Sequence, residues 1–127
     1  MDFVAQRLSD GRWIRVVTVV DQYTRECLTL HADNALSGEK VALALDKVVA
    51  VRGAPKSVTV DNGTELASKA MDLWAYTNGV HLDFIRPGKP TDNAFIESFN
   101  GTFRNECLNV HWFETLAEAK QLIEAWR

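Results

Sequence analysis

Three acidic residues stand where a carboxylate is costly. Asp2 opens a candidate strand, Asp61 ends the short apolar run Val58-Thr59-Val60, and Glu97 sits inside Asn93-Ala94-Phe95-Ile96-Glu97-Ser98-Phe99-Asn100. Ligands of mixed α/β sheets gather at strand ends such as the one before Asp61. Each acid also has an ordinary reading. Asp61-Asn62-Gly63 is a tight-turn sequence in which Asp61 can close an Asx turn, and a helical Glu97 can simply face water. Other chemistries find no support. There is no GxxxxGK phosphate loop and no GxSxG nucleophile turn. His31, His81 and His111 are too dispersed to predict a zinc site.

Helical spacing says more about Glu97. Phe95, Phe99 and Phe103 recur every four residues with Ile96 beside them, which predicts a core-facing stripe. Asn93, Glu97, Asn100 and Arg104 recur at four, three and four on a neighbouring face. Glu97 therefore belongs to a polar stripe that flanks the apolar one.

The elements that must position these residues are legible as changes of period. Strands are expected over residues 2–6, 12–20 and 25–32, with turns at Ser9-Asp10-Gly11 and Asp21-Gln22. The second is β-branched and nearly continuously apolar, so it should be buried on both faces. Ser37 can cap a helix whose Val41, Leu45, Val48 and Val49 share one face, and Gly53-Ala54-Pro55 stops it. A strand over 57–60, a helix over 66–77, a strand over 80–85 and a helix over 92–107 follow. Thr115-x-x-Glu118 is a capping box for a last helix with Leu116, Ala119, Ile123 and Trp126 as its stripe. Three tightly connected strands followed by βαβ units predict a mixed five-stranded sheet with helices packed on it.

The chain has 127 residues, of which 46% are hydrophobic, which suits one domain with an ordinary core. Fourteen basic and 17 acidic residues leave a net charge of −3, spread evenly, with no basic patch to advertise nucleic acid. No apolar run approaches the roughly 20 residues of a membrane helix, and the opening Met1-Asp2 is not a secretory signal. Cys27 and Cys107 are far apart and read as buried, reduced thiols.

Several segments together resemble the catalytic core of bacterial insertion-sequence transposases of the retroviral-integrase type. They are Met1-Asp2-Phe3-Val4, the stretch from Val19 to Cys27, Asp61-Asn62-Gly63-Thr64-Glu65, Arg86-Pro87-Gly88-Lys89-Pro90-Thr91-Asp92-Asn93, and Phe95-Ile96-Glu97-Ser98-Phe99-Asn100-Gly101. The spacing of 35 residues between Asp61 and Glu97 belongs to the same pattern. The resemblance implies a ribonuclease H-like fold and an Asp-Asp-Glu catalytic triad made of Asp2, Asp61 and Glu97. It implies a polynucleotidyl transferase that cleaves DNA at element ends and joins the freed 3′-hydroxyl to target DNA. It also makes residues 1–127 a core lacking an N-terminal helix-turn-helix region and a C-terminal extension.

Three converging carboxylates repel one another unless cations neutralise them, and hard oxygens suit two Mg²⁺ or Mn²⁺ ions. Two such ions change the formal charge from −3 to +1, which removes the objection from acidic composition. Arg86, Lys89 and Arg104 are then candidate phosphate contacts, and Asn93 and Asn100 candidate backbone or base contacts. The implied partners are transposon-end and target DNA and further copies of the chain, as in a homo-oligomer such as a dimer. The implied setting is the bacterial cytoplasm, at the nucleoid when acting. Two alternatives stand beside this reading: a ribonuclease H-like hydrolytic nuclease, and a catalytically inert core acting in subunit assembly.

Overall fold

The computed structural model describes residues 1–60, 68–85 and 94–127. Strands β1 (Asp2–Arg7), β2 (Trp13–Val20) and β3 (Cys27–Asp33) form an antiparallel sheet in that order. Helix α1 (Gly38–Arg52) leads to β4 (Ser57–Val60), and α2 (Lys69–Asn78) connects β4 to the parallel strand β5 (His81–Phe84). Helix α3 (Ala94–Glu106), a 3-10 turn at Leu108–Val110 and α4 (Leu116–Trp126) complete the described elements.

Strand alternation sorts the core into two layers. Met1, Val17 and Val19 face α1 and α2, where they pack with Val41, Leu45, Val60, Met71 and Trp74. Val4, Ile14 and Val16 face the other way, toward Phe103, Cys107, Phe113, Ala119 and Ile123 of the α3–α4 side. β2 is thus covered on both faces, as its continuous apolar run requires. The one polar residue within its Val16–Val20 run, Thr18, is fully buried, and its hydroxyl donates to the Asp2 carbonyl at 3.3 Å.

The helix caps follow the sequence signals closely. The Ser37 hydroxyl accepts from the Lys40 N–H, Gly53 ends α1 with φ 82°, and Thr115 accepts from the Glu118 N–H. Helix α2 begins three residues later than expected because Ser68 is its cap, its hydroxyl accepting from the Met71 N–H. Gly79, left-handed at φ 67°, closes that helix by donating to the Ala75 and Tyr76 carbonyls.

Two expectations need correction. The single five-stranded sheet appears, among the described residues, as a three-stranded and a two-stranded ladder. Among the described residues a hydrogen bond from the Met1 amino group to the Thr59 carbonyl at 3.1 Å sets β4 beside the start of β1. The turn after β2 is longer than Asp21-Gln22, since the Asp21 N–H donates to the Glu26 carbonyl and delays β3 to Cys27. Of the four tryptophans, Trp74 is buried, Trp126 is half-buried, and Trp13 and Trp112 are exposed. Both cysteines are free, Cys107 buried and Cys27 half-buried, with burial pushing the Cys27 thiol up to about 11. Among the described residues, no helix is long and apolar enough to cross a membrane.

Candidate active site

Asp2 is the first residue of β1, and period-two alternation turns its side chain to the face it shares with Val4. That face meets α3. The half-buried Asp2 carboxylate accepts the Phe3 N–H at 2.7 Å with one oxygen and the Asn100 side-chain amide at 3.1 Å with the other. The side chain is therefore fixed from its own strand and from a helix 98 residues away in sequence.

The inward seam of α3 differs from the expected phenylalanine stripe. The buried positions are Ile96, Asn100 and Phe103, continued by Cys107 just past the helix end. Phe95 and Phe99 lie half-buried along one flank. Phe99 and Phe103 meet Trp126 of α4 at 6.0 and 5.2 Å between ring centroids. Asn100 thus occupies a core position with 9% exposure, and its Oδ1 finds no donor among the described residues. A carboxylate only accepts, so the amide nitrogen must be the atom turned to Asp2. Asn100, expected as a DNA backbone or base contact, is turned inward to Asp2.

Glu97 lies exposed on α3, three residues before Asn100. Residues three apart on a helix are surface neighbours, about 5–6 Å between Cβ atoms. The helix face that meets Asp2 therefore also carries Glu97. Arg104 is half-buried on the last turn of α3. Asp61, Arg86, Lys89 and Asn93 lie outside the described residues. Asp61 follows Val60, the last residue of β4, while Thr59 is bonded to Met1, the neighbour of Asp2.

The local electrostatics are strongly polar for a half-buried place. Burial pulls the Met1 amino group down to about 6, and the nearby Asp2 charge pulls it partly back. Asp2 and Glu97 offer hard carboxylate oxygens, the donor type Mg²⁺ and Mn²⁺ prefer. Among the described residues no three His, Cys, Asp or Glu side chains form a cluster. The donor chemistry fits such ions, and a neutral amide bracing Asp2 leaves the negative charge in place.

Sequence reasoning missed two features. The spacing Ile96, Asn100, Phe103, Cys107, at four, three and four, is an apolar seam interrupted by one asparagine, and that interruption marks the partner of Asp2. The role of Thr18 was equally available, as the one polar residue within Val16–Val20.

Sequence profiles of the integrase core domain match residues 1–90 and, separately, 78–127. The chain is 54% identical over all 127 residues to the insertion element IS407 uncharacterized 31.7 kDa protein of Burkholderia multivorans, covering 46% of that protein. It is 47% identical over the same length to the insertion element IS476 uncharacterized 39.2 kDa protein of Xanthomonas euvesicatoria, covering 37% of it. A transposase for insertion sequence element IS904 from Lactococcus lactis is 38% identical over 66 residues, 52% of this chain and 26% of that protein. The chain spans less than half the length of each of these curated relatives. It shares its fold with a chain of the simian T-cell lymphotropic virus intasome solved in complex with PP2A regulatory subunit B56 gamma. The TM-score is 0.76 over 86% of this chain and 38% of the other, at 17% identity. With profile matches that overlap and together run from Met1 to Arg127, the chain belongs to the integrase core domain family.

Proposed function

We propose that this chain is the ribonuclease H-like catalytic core of a DNA transposase, acting within a longer protein, with Asp2, Asp61 and Glu97 as its catalytic carboxylates. The observation that carries the reading is the pairing of a half-buried Asp2 with Asn100, one helical turn after Glu97. Relatives that belong to insertion elements, one of them named a transposase, support the same reading. Asp61 enters on its motif and on its place in sequence directly after β4.

The reaction is phosphoryl transfer. Water opens a phosphodiester at the element end and leaves a 3′-hydroxyl, which then attacks a phosphodiester of target DNA. Asp2, Asp61 and Glu97 would hold two Mg²⁺ or Mn²⁺ ions, which supply activation of the attacking oxygen and stabilisation of the leaving one. The rest is the work of the chain's own residues. Asn100 and the Phe3 N–H fix the plane of the Asp2 carboxylate. Thr18 anchors the Asp2 backbone through its carbonyl. Arg86, Lys89 and Arg104 supply positive charge for phosphates, and Asn93 supplies an amide for the DNA backbone or bases. DNA is the substrate, and further copies of the chain are the assembly partners.

The test has two parts. Mn²⁺ should raise the melting temperature of the chain, and Asp61→Asn should abolish that rise, since a ligand of the folded state adds about 2.7 kcal/mol at a hundredfold excess over its Kd. Joining of labelled DNA with a free 3′-end should fall by orders of magnitude in Glu97→Gln while folding survives. An unchanged Mn²⁺ response in Asp61→Asn, or near-normal joining by Glu97→Gln, refutes the assignment.

A further inference from the structure

Among the described residues, Arg25 is the non-glycine residue with a positive φ, 66°. A left-handed backbone crowds Cβ against the following carbonyl, so an arginine stays there only where its surroundings outweigh the strain. Those surroundings are well defined. The Arg25 N–H donates to the Asp21 carbonyl at 2.8 Å, and the Asp21 carboxylate accepts the Tyr23 and Thr24 N–H groups. Arg52 of α1 reaches Glu26 at 2.8 Å and Asp21 at 3.5 Å. The turn between β2 and β3 is thus braced onto α1. From it the Arg25 guanidinium lies over the Phe95 ring, 4.0 Å from its centroid.

Phe95 is the second residue of α3. At about 100° per residue, Phe95 lies to one side of the buried Ile96 and Glu97 to the other. Trp126 grips the phenylalanine flank at Phe99 and Phe103, toward the C-terminal half of the helix. Arg25 grips the same flank in the first turn, where Glu97 is carried.

We propose that Arg25 is a positioning residue for Glu97. Its stacking on Phe95 fixes the first turn of α3 and the rotation of that turn about the helix axis, which sets how Glu97 is presented to the side of Asp2. The inference rests on reading Glu97 as a metal-binding carboxylate. A planar guanidinium is suited to the task because it stacks flat on a ring, as an ammonium does not.

The decisive variant is Arg25→Gly, which removes the guanidinium and relaxes the left-handed backbone together. A residue that served only the turn would leave the chain at least as heat-stable and change nothing on α3. The positioning role predicts that the melting temperature holds or rises while hydrogen exchange quickens at the Ser98 and Phe99 amides, whose helical acceptors are the Ala94 and Phe95 carbonyls. It also predicts that MnCl₂, titrated calorimetrically, binds about tenfold more weakly, the low end of the loss typical for outer-shell partners. Phe95→Leu should reproduce both effects, and Arg25→Lys should not restore them. Parental exchange at Ser98 and Phe99 in both Arg25→Gly and Phe95→Leu overturns the proposal, and so does quickened exchange with unchanged Mn²⁺ affinity. If the parent chain binds no Mn²⁺, the metal-site reading fails by itself, and the exchange measurement still decides whether Arg25 holds the helix.

Discussion

Replacing Asn100 by aspartate keeps shape and inverts the meaning of the contact with Asp2. The amide nitrogen lies 3.1 Å from an Asp2 oxygen, so Asn100→Asp sets carboxylate against carboxylate in a half-buried place. At that separation and an effective dielectric of about 20, two unit charges repel by about 5 kcal/mol. A cheaper escape is for one carboxyl to take up a proton. Holding an ordinary carboxyl, with a pKa near 4, protonated at pH 7 costs about 4 kcal/mol. The protonated group then donates an O–H to its neighbour and restores a hydrogen bond. The cheaper route sets the penalty, so Asn100→Asp should lose about 4 kcal/mol at pH 7.

The pH dependence has a definite sign. The folded variant holds a proton that the unfolded chain has released above pH 4. Stability relative to the parent therefore falls by about 1.4 kcal/mol per pH unit as pH rises from about 4 toward 7. Urea melts of parent and variant at pH 4.5 and 7.0 measure the difference directly. Asn100→Leu is the control. It loses a charge-assisted hydrogen bond of about 1.5–3 kcal/mol but also removes an acceptor buried without a donor among the described residues, which costs about 1–3 kcal/mol, so its net effect at pH 7 is small. A difference for Asn100→Asp that is below about 1 kcal/mol at pH 7, or equal at both pH values, would show that Asn100 does not face Asp2.

Two further outcomes follow from the packing. In a chain whose Met1 amino group is free, the unfolded state binds a proton between pH 6 and 8 that the folded state does not, given a folded pKa of about 6 against an ordinary 8.0. Stability should therefore rise by about 2–3 kcal/mol across that window, and acetylation of the amino group should flatten the rise. Trp126→Ala should cost about 2 kcal/mol, less than the roughly 3–5 kcal/mol of a buried aromatic, because Trp126 is half-buried where Phe103 is fully so. Chemical denaturation of both alanine variants, with Phe103→Ala the larger loss, checks that order.

Much of the scaffold was legible because it is written in local signals. Ser37, Gly53, Gly79 and Thr115 each act on the backbone within four residues, and the apolar periods of β2 and α4 follow from geometry alone. What was not legible depends on contacts between distant segments. The start of α2, expected at residue 66, shifted because Ser68 caps it. The inward face of α3 was misjudged because aromatic residues dominate any hydrophobicity count. Phe95 and Phe99 are large enough to serve as flanks gripped by Arg25 and Trp126, while a polar asparagine takes the core position. Its reason lies on β1, and no spacing rule within a helix can show that. Of the candidate site, Asp2 and Glu97 lie on elements that meet, while Arg86, Lys89, Asn93 and Asp61 lie outside the described residues.

An asparagine in the seam of α3 is hard to account for by folding alone. Leucine at the same place would bury more apolar surface and leave no unpaired acceptor, whereas the Asn100 Oδ1 is buried without a donor among the described residues. The half-buried Asp2 makes the choice intelligible. A carboxylate there needs a donor, and the identity of the donor matters for anything that must bind next. Lysine or arginine would satisfy Asp2 more strongly, but would cancel the negative charge on which the proposed cation site depends. A backbone N–H, already supplied by Phe3, fixes one oxygen only. An amide side chain donates to the second oxygen, holds the carboxylate plane, and leaves its charge intact. Asn100 therefore joins two requirements on this part of the fold: a helix that must pack against the sheet, and a half-buried acid on that sheet whose second oxygen needs a donor.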